Sequence, residues 1–270
     1  AAATYGSGVI SSSIETLIIN AVAATTLDTT LMADVTDIVS NGSTAALIVN
    51  GLSAIPTVSL TATSANLTLA YTSATTIVST ADSQTVNLNG AALTASPTLT
   101  SPGIESITVN ATGTASGTFD FPVVLASTTL KSVTITGDAA SAISADLVGA
   151  TTAAAGSVTG NDAANTVLLT AGAADTIGVA LGAGEDVLQI GSISATHTLA
   201  GGEGIADTLI STAAITTTTG ANISGFEVVS SAGASIALPT ATNTISTAVF
   251  TGTTGTIAGL ATGGTVTLAQ

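Results

Sequence analysis

An all-β chain, wound as a right-handed parallel β-helix or β-solenoid with irregular turns, is the fold class this sequence predicts. Three observations predict it. Short segments of Thr, Val and Ile alternate polar and apolar residues with period two, as half-buried strands do. Asn-Gly and Gly-Asp turn formers punctuate them at short intervals. The chain holds only two Tyr, four Phe and no Trp, so its interior must be filled by small aliphatic side chains, which suits the thin core of stacked coils. Tandem β-sandwich modules are the alternative architecture.

Taken in order, the clearest strand segments are Thr57-Val58-Ser59-Leu60-Thr61, Asn66-Leu67-Thr68-Leu69-Ala70, Ser132-Val133-Thr134-Ile135-Thr136 and Thr265-Val266-Thr267-Leu268. Turns are expected at Asn41-Gly42, Asn50-Gly51, Asn89-Gly90, Gly137-Asp138, Gly160-Asn161-Asp162 and Gly201-Gly202. No stretch carries a sustained apolar stripe at helical spacing. Ala139 to Ala155 comes nearest, and its Ser, Thr and Gly content argues against a stable helix. Residues 1–95 lack glycine-acid loops and are expected to form an N-terminal β-rich module. Residues 96–270 are expected to form the solenoid, with Pro97 to Pro102 as a joint.

Composition excludes several classes of function. Roughly a fifth of the chain is Thr, and charged residues are 6% against about 25% in ordinary soluble proteins. The formal net charge is -15, and Lys131 is the only cationic residue apart from His197. One lysine cannot make a phosphate-neutralising patch, so nucleic acid is not expected as a partner. Membrane insertion is not expected either: no 18-residue apolar run occurs, and six aromatics cannot form the two girdles of an outer-membrane barrel. With no Cys, disulfide and thiolate chemistry are absent. There is no G-x-S-x-G elbow, and a glycan-cleaving groove needs several acids and cations converging on one face whereas Lys131 is alone, so the chain reads as no enzyme.

Four segments share one pattern, an apolar residue, then a charge, then a strand. They are Ile14-Glu15-Thr16-Leu17, Ile104-Glu105-Ser106-Ile107, Leu130-Lys131-Ser132-Val133 and Phe226-Glu227-Val228-Val229. The apolar residue is expected to turn inward at a corner while the charge stays in water.

Three glycine-acid loops concentrate what chemistry the chain has. They run from Gly160-Asn161-Asp162 to Asn165-Thr166-Val167, from Gly182-Ala183-Gly184-Glu185-Asp186 to Leu188, and from Gly201-Gly202-Glu203-Gly204 through Asp207 to Leu209. Six of the sixteen acids (Asp162, Asp175, Glu185, Asp186, Glu203, Asp207) fall between Gly160 and Leu209. Calcium requires six to eight hard oxygen ligands, which carboxylates and the carbonyls of sharply turning glycine loops supply. The candidate metal-ligating positions are therefore Gly160, Asp162, Gly182, Gly184, Glu185, Asp186, Gly202, Glu203, Gly204 and Asp207, with Ca²⁺ as the cation. Asp28, Asp34, Asp37, Asp82 and Asp120 are expected as solvated turn or corner acids, and His197 as a surface or groove residue of one strand.

These loops resemble imperfect copies of the RTX nonapeptide, G-G-x-G-x-D-x-U-x, beginning 22 and 19 residues apart instead of nine. With the Ile-Glu-Thr-Leu and Leu-Lys-Ser-Val strands, the chain is similar to bacterial RTX-type surface-layer proteins and β-strand-repeat adhesins. The resemblance implies secretion, Ca²⁺-dependent folding and self-assembly into a cell-surface lattice. The expected partners are copies of the chain itself, and cell-surface glycan. A stalk of a large adhesin and an extracellular filament subunit are the alternatives.

Overall fold

The computed structural model describes residues 3–5, 13–72, 77, 80–89, 93, 95–113, 122–151, 153–170, 175–231, 235–239, 244–250 and 256–268. Gly90 and Asp120, a turn residue and a corner acid of the sequence reading, lie outside these residues. The fold is a β-solenoid of parallel strands with almost no helix. Its Cα packing divides it into two units, Ala1–Ser144 and Ala145–Gln270.

In the first unit the strands are β1 (Ala3–Tyr5), β2 (Thr16–Ile19), β3 (Thr25–Asp28), β4 (Asp37–Asn41), β5 (Leu47–Leu52), β6 (Thr57–Thr61), β7 (Leu67–Tyr71), β8 (Ser83–Asn89), β9 (Thr98–Thr100), β10 (Ser106–Thr112), β11 (Val123–Ala126) and β12 (Ser132–Gly137). The division falls within β13 (Ser141–Ala145). Odd-numbered strands β1 to β11 lie side by side in one sheet and even-numbered strands β2 to β12 in a second. Such order arises when the chain coils, each turn laying one strand on each sheet. The pairings are parallel throughout, from β2 on β4 to β10 on β12, which excludes the antiparallel sandwich alternative. The Pro97 to Pro102 stretch contains β9, which pairs with both β7 and β11.

Register makes the core. Ile38, Val58, Val86, Val109 and Ile135 sit opposite one another on successive strands, all at 0–2% exposure. On the other sheet Leu47, Leu67, Leu99 and Leu125 form a second buried column. Each such side chain contributes about 1.5–3 kcal/mol by leaving water, and like stacks on like at the strand spacing. Alternation sends Thr and Ser outward: β10 reads half-buried, buried, half-buried along its whole length. Asn110 Nδ2 donates to Asn87 Oδ1 (3.1 Å) and Asn87 Nδ2 to Ser59 Oγ (3.3 Å), tying outer positions of adjacent rungs.

The second unit contains β14 (Gly156–Thr159), β15 (Asn165–Leu169), β16 (Ile177–Ala180), β17 (Val187–Ile190), β18 (Thr198–Ala200), β19 (Thr208–Ser211), α1 (Thr217–Gly220), β20 (Ile223–Ser224), β21 (Val228–Ser231), β22 (Ile236–Ala237), β23 (Thr247–Phe250), β24 (Ile257–Ala258) and β25 (Thr265–Leu268). Strands β15, β17, β19, β21, β23 and β25 form one sheet, β14, β16, β18 and β20 another, and β22 with β24 a small third. Val167, Leu188, Leu209, Val229 and Ala248 make its aliphatic column, each at 0% exposure. The single helical turn, which strand periodicity does not announce, is closed by a capping box: Thr216 Oγ1 accepts from Thr219 N–H while Thr219 Oγ1 accepts from Thr216 N–H.

Candidate functional site

The glycine-acid loops are the corners that lead into β15, β17 and β19. Parallel register places Asn165, Asp186, Asp207 and Glu227 at one equivalent position, immediately before or at the start of successive strands. They are separated by 21, 21 and 20 residues. Each acidic side chain reaches back to the rung before it. Asp186 Oδ1 accepts from Asn165 N–H (2.6 Å) and from Asn165 Nδ2 (3.2 Å). Asp207 Oδ1 accepts from Asp186 N–H (2.7 Å), and Glu227 Oε2 from Asp207 N–H (3.0 Å). The result is a one-directional ladder of charge-assisted bonds that satisfies corner amides the strand ladder leaves over.

The same device occurs in the first unit, where Glu105 Oε2 accepts from Asp82 N–H (2.9 Å). Ile104, Leu130 and Phe226 are fully buried, as the inward-corner reading requires, but Ile14 is only half-buried; of the four charges Glu15 is exposed, while Lys131 and Glu227 are half-buried. Glu105 differs: at 7% exposure it is not a solvated charge, because an amide of the neighbouring rung binds its carboxylate. In each unit an acid directly before a strand binds the amide of the residue before or at the start of the neighbouring strand: Glu105 before β10, and Asp186, Asp207 and Glu227 before β17, β19 and β21.

Glycine is required where loops stack on each other. Gly182 (φ +99°) and Gly202 (φ +118°) adopt backbone that L side chains avoid, and a Cβ on Gly202 would collide with the carbonyl of Gly182. Gly160, Gly184 and Gly204 likewise face the backbone of an adjacent loop. Gly204 also leaves room for the Asp207 carboxylate, both of whose oxygens would lie 2.7 Å from a Cβ there. Ala183 and Glu203 form a parallel bridge in which Glu203 N–H donates to Gly182 O (2.8 Å) and Gly184 N–H to Glu203 O (3.2 Å).

The predicted site residues thus separate into two sets. Asp186 and Asp207 are at 0% exposure inside the corner, whereas Asp162, Glu185 and Glu203 project into solvent from the same loops. No three His, Asp or Glu side chains converge in a metal-holding group among the described residues. Burial pushes the Asp186 carboxyl up to about 6, with the Asp207 charge adding to the rise and the two Asn165 hydrogen bonds opposing it. Asp186 Oδ2 and Asp207 Oδ2 are buried with no hydrogen-bond donor. Two buried carboxylate oxygens one rung apart are of the donor type that a divalent cation such as Ca²⁺ takes.

Asn165 and Glu227 are the ladder members the sequence reading did not join to the acids. Their signal was available: a side chain with a terminal oxygen directly before a strand, at the rung spacing. Asn165 is fully buried, and the two protons of its Nδ2 are shared among Asp186 Oδ1 and the carbonyls of Ala163 (2.6 Å), Asn161 (3.2 Å) and Leu181 (3.2 Å). His197 stands in the turn before β18 and is fully buried, not on a strand surface. Asp28 caps its own turn, accepting from Thr30 N–H (2.9 Å) and Thr30 Oγ1 (2.5 Å), which holds its carboxyl below the usual value. No protein-family model, no curated protein and no solved structure matches the chain.

Proposed function

We propose that the chain is a secreted structural protein whose solenoid associates with copies of itself into a Ca²⁺-dependent layer at the cell surface. One observation carries the reading: the buried acids of the loops are spent on joining rung to rung, not on lining a groove where a substrate would react. A chain whose polar chemistry builds its own body is a scaffold. Its net charge of -15 makes neighbouring copies repel, and divalent cations remove that repulsion. The exposed acids Asp162, Glu185 and Glu203 are available to ions shared between copies. Within a corner, Asp186 and Asp207 would hold Ca²⁺ through their partnerless Oδ2 atoms, and the ion would supply the countercharge those atoms lack. Sheets clothed in Thr and Ser with one lysine in the whole chain carry little of the charge that keeps β-proteins apart.

Electron microscopy and light scattering of the purified chain, with EDTA and then with excess Ca²⁺ or Mg²⁺, test this. Assemblies that disperse in chelator and re-form in Ca²⁺ more readily than in Mg²⁺ are expected. A chain that stays monomeric at high concentration with Ca²⁺ would instead be a stalk of a larger adhesin, and the layer reading would fail.

A further inference from the structure

The chain has one histidine, and the fold seals it away completely: His197 is at 0% exposure. It ends a four-residue turn, Ser194-Ala195-Thr196-His197, that leads into β18. The turn closes on itself twice. His197 N–H donates to Ser194 O (3.2 Å), and Ser194 N–H donates back to His197 Nδ1 (3.3 Å). A ring nitrogen that accepts carries no proton, so the imidazole is neutral with its hydrogen on Nε2, an assignment that follows from this hydrogen bond.

The same four residues hold the rungs on either side. Thr196 Oγ1 donates to Asp175 O (2.9 Å) on the rung before, and Asn222 Nδ2 donates to Ala195 O (2.8 Å) from the rung after. Ser194 Oγ and Thr196 Oγ1 share a hydrogen bond (2.5 Å) that braces the turn from outside. Three successive rungs therefore depend on one turn geometry.

We propose that the Ser194–His197 turn is an acid-sensitive latch, in which a proton on His197 releases the turn and loosens its ties to the rungs of Asp175 and Asn222. The reason is stereochemical. In the imidazolium both nitrogens donate, so an Nδ1–H would face the Ser194 N–H and the bond that closes the turn becomes a donor–donor clash. Nε2 is buried beside the backbone carbonyl of Asp175, which suits the proton it already carries, so the added proton at Nδ1 is the one that meets the Ser194 N–H. Asp175, on the preceding rung, favours protonation of the ring through its backbone carbonyl and then its charge; Asp146 is the acid that Asp175 acts on in turn, its carboxyl raised first by burial and then by the Asp175 charge. Asn222, on the following rung, is uncharged.

Burial holds His197 below its ordinary value of 6.5, with Asp175 opposing. A histidine depressed in the folded state contributes stability that is complete above pH 6.5 and is lost as pH falls towards its own lower value. Across that window the open turn gains about tenfold over the closed turn per pH unit. The latch does not rest on calcium or on assembly.

Because the histidine is unique, its Cε1–H resonance reports protonation without ambiguity, and hydrogen exchange at Ser194 reports the turn. The full chain would be titrated from pH 8 to 5, with strand β21 as internal reference. The expected result is a ring still neutral at pH 6.5, and Ser194 protection that falls about tenfold per pH unit below it while β21 is unchanged. His197→Asn places an amide oxygen near the Nδ1 position and does not titrate, so it should abolish this pH dependence. A ring that titrates near 6.5 with Ser194 protection intact would overturn the latch, as would the same pH profile in His197→Asn. Should that variant not fold, the wild-type chain decides alone, by whether Ser194 protection begins to fall near pH 6.5 and levels off where the ring itself becomes protonated.

Discussion

Asp186→Asn is the perturbation that discriminates best between a carboxylate kept for its charge and one kept for its shape. The amide retains an oxygen where Asp186 Oδ1 accepts from Asn165 N–H, and it removes the charge from a residue at 0% exposure. Burial raises this carboxyl from 3.8 to about 6. At 1.36 kcal/mol per unit, ionising it within the fold costs about 3 kcal/mol. The sign follows from linkage. A carboxyl raised in the folded state binds its proton more tightly there, so the fold gains from it at low pH and loses that gain as pH rises from about 4 through about 6. In chelator at pH 8, Asp186→Asn should therefore be more stable than the wild type by up to about 3 kcal/mol. For 270 residues melting together this is about 5 °C, and more if the second unit melts alone. At pH 4 the difference should vanish. Added Ca²⁺ should then stabilise the wild type and leave the variant unmoved, since the cation supplies the charge that Oδ2 lacks. Calorimetry in EDTA and in Ca²⁺ at both pH values measures all four arms. A variant less stable than wild type in EDTA at pH 8 would refute the reasoning, because it would show the ionised carboxylate to be favourable without a metal.

Other substitutions test the stacking itself. Gly202→Ala combines a positive φ with a collision against Gly182 O and should lower stability by about 1–3 kcal/mol or more, read by urea unfolding followed by circular dichroism. Phe226→Ala empties the largest fully buried side chain among the described residues and should cost about 3–5 kcal/mol; a loss below 1 kcal/mol would mean the corner is not packed. Glu227→Gln keeps an acceptor for Asp207 N–H and should stay within about 0.5 kcal/mol of wild type, whereas Glu227→Ala leaves that amide short of a partner and should cost about 1 kcal/mol.

The architecture was legible because solenoid packing is written locally. The alternation of Thr57-Val58-Ser59-Leu60-Thr61 is the burial pattern of β6, and small aliphatics can stack at every rung. What periodicity does not encode is the destination of polar side chains. Asp162 and Asp186 sit in loops of similar composition, yet one is in water and the other is sealed. The difference is register, since only the acid directly before the strand meets an amide of the rung beneath, and register is a relation between segments about twenty residues apart. His197 eluded the strand reading for a related reason: Ala195-Thr196-His197-Thr198-Leu199 alternates, but its first three residues turn before β18 begins. The helical turn at Thr217–Gly220 comes from reciprocal Thr216 and Thr219 hydrogen bonds, which propensity sums over longer windows average away.

The direction in which the corner acids point has a consequence for how such a coil is made. Every acceptor belongs to the later residue and every amide it quiets to the earlier one, from Glu227 back to Asn165. A turn emerging from a ribosome or a secretion pore is thus unfinished until its successor arrives and locks it. Winding would advance like a ratchet from the amino-terminal side, and interrupting synthesis or export would leave just one raw edge exposed at a time.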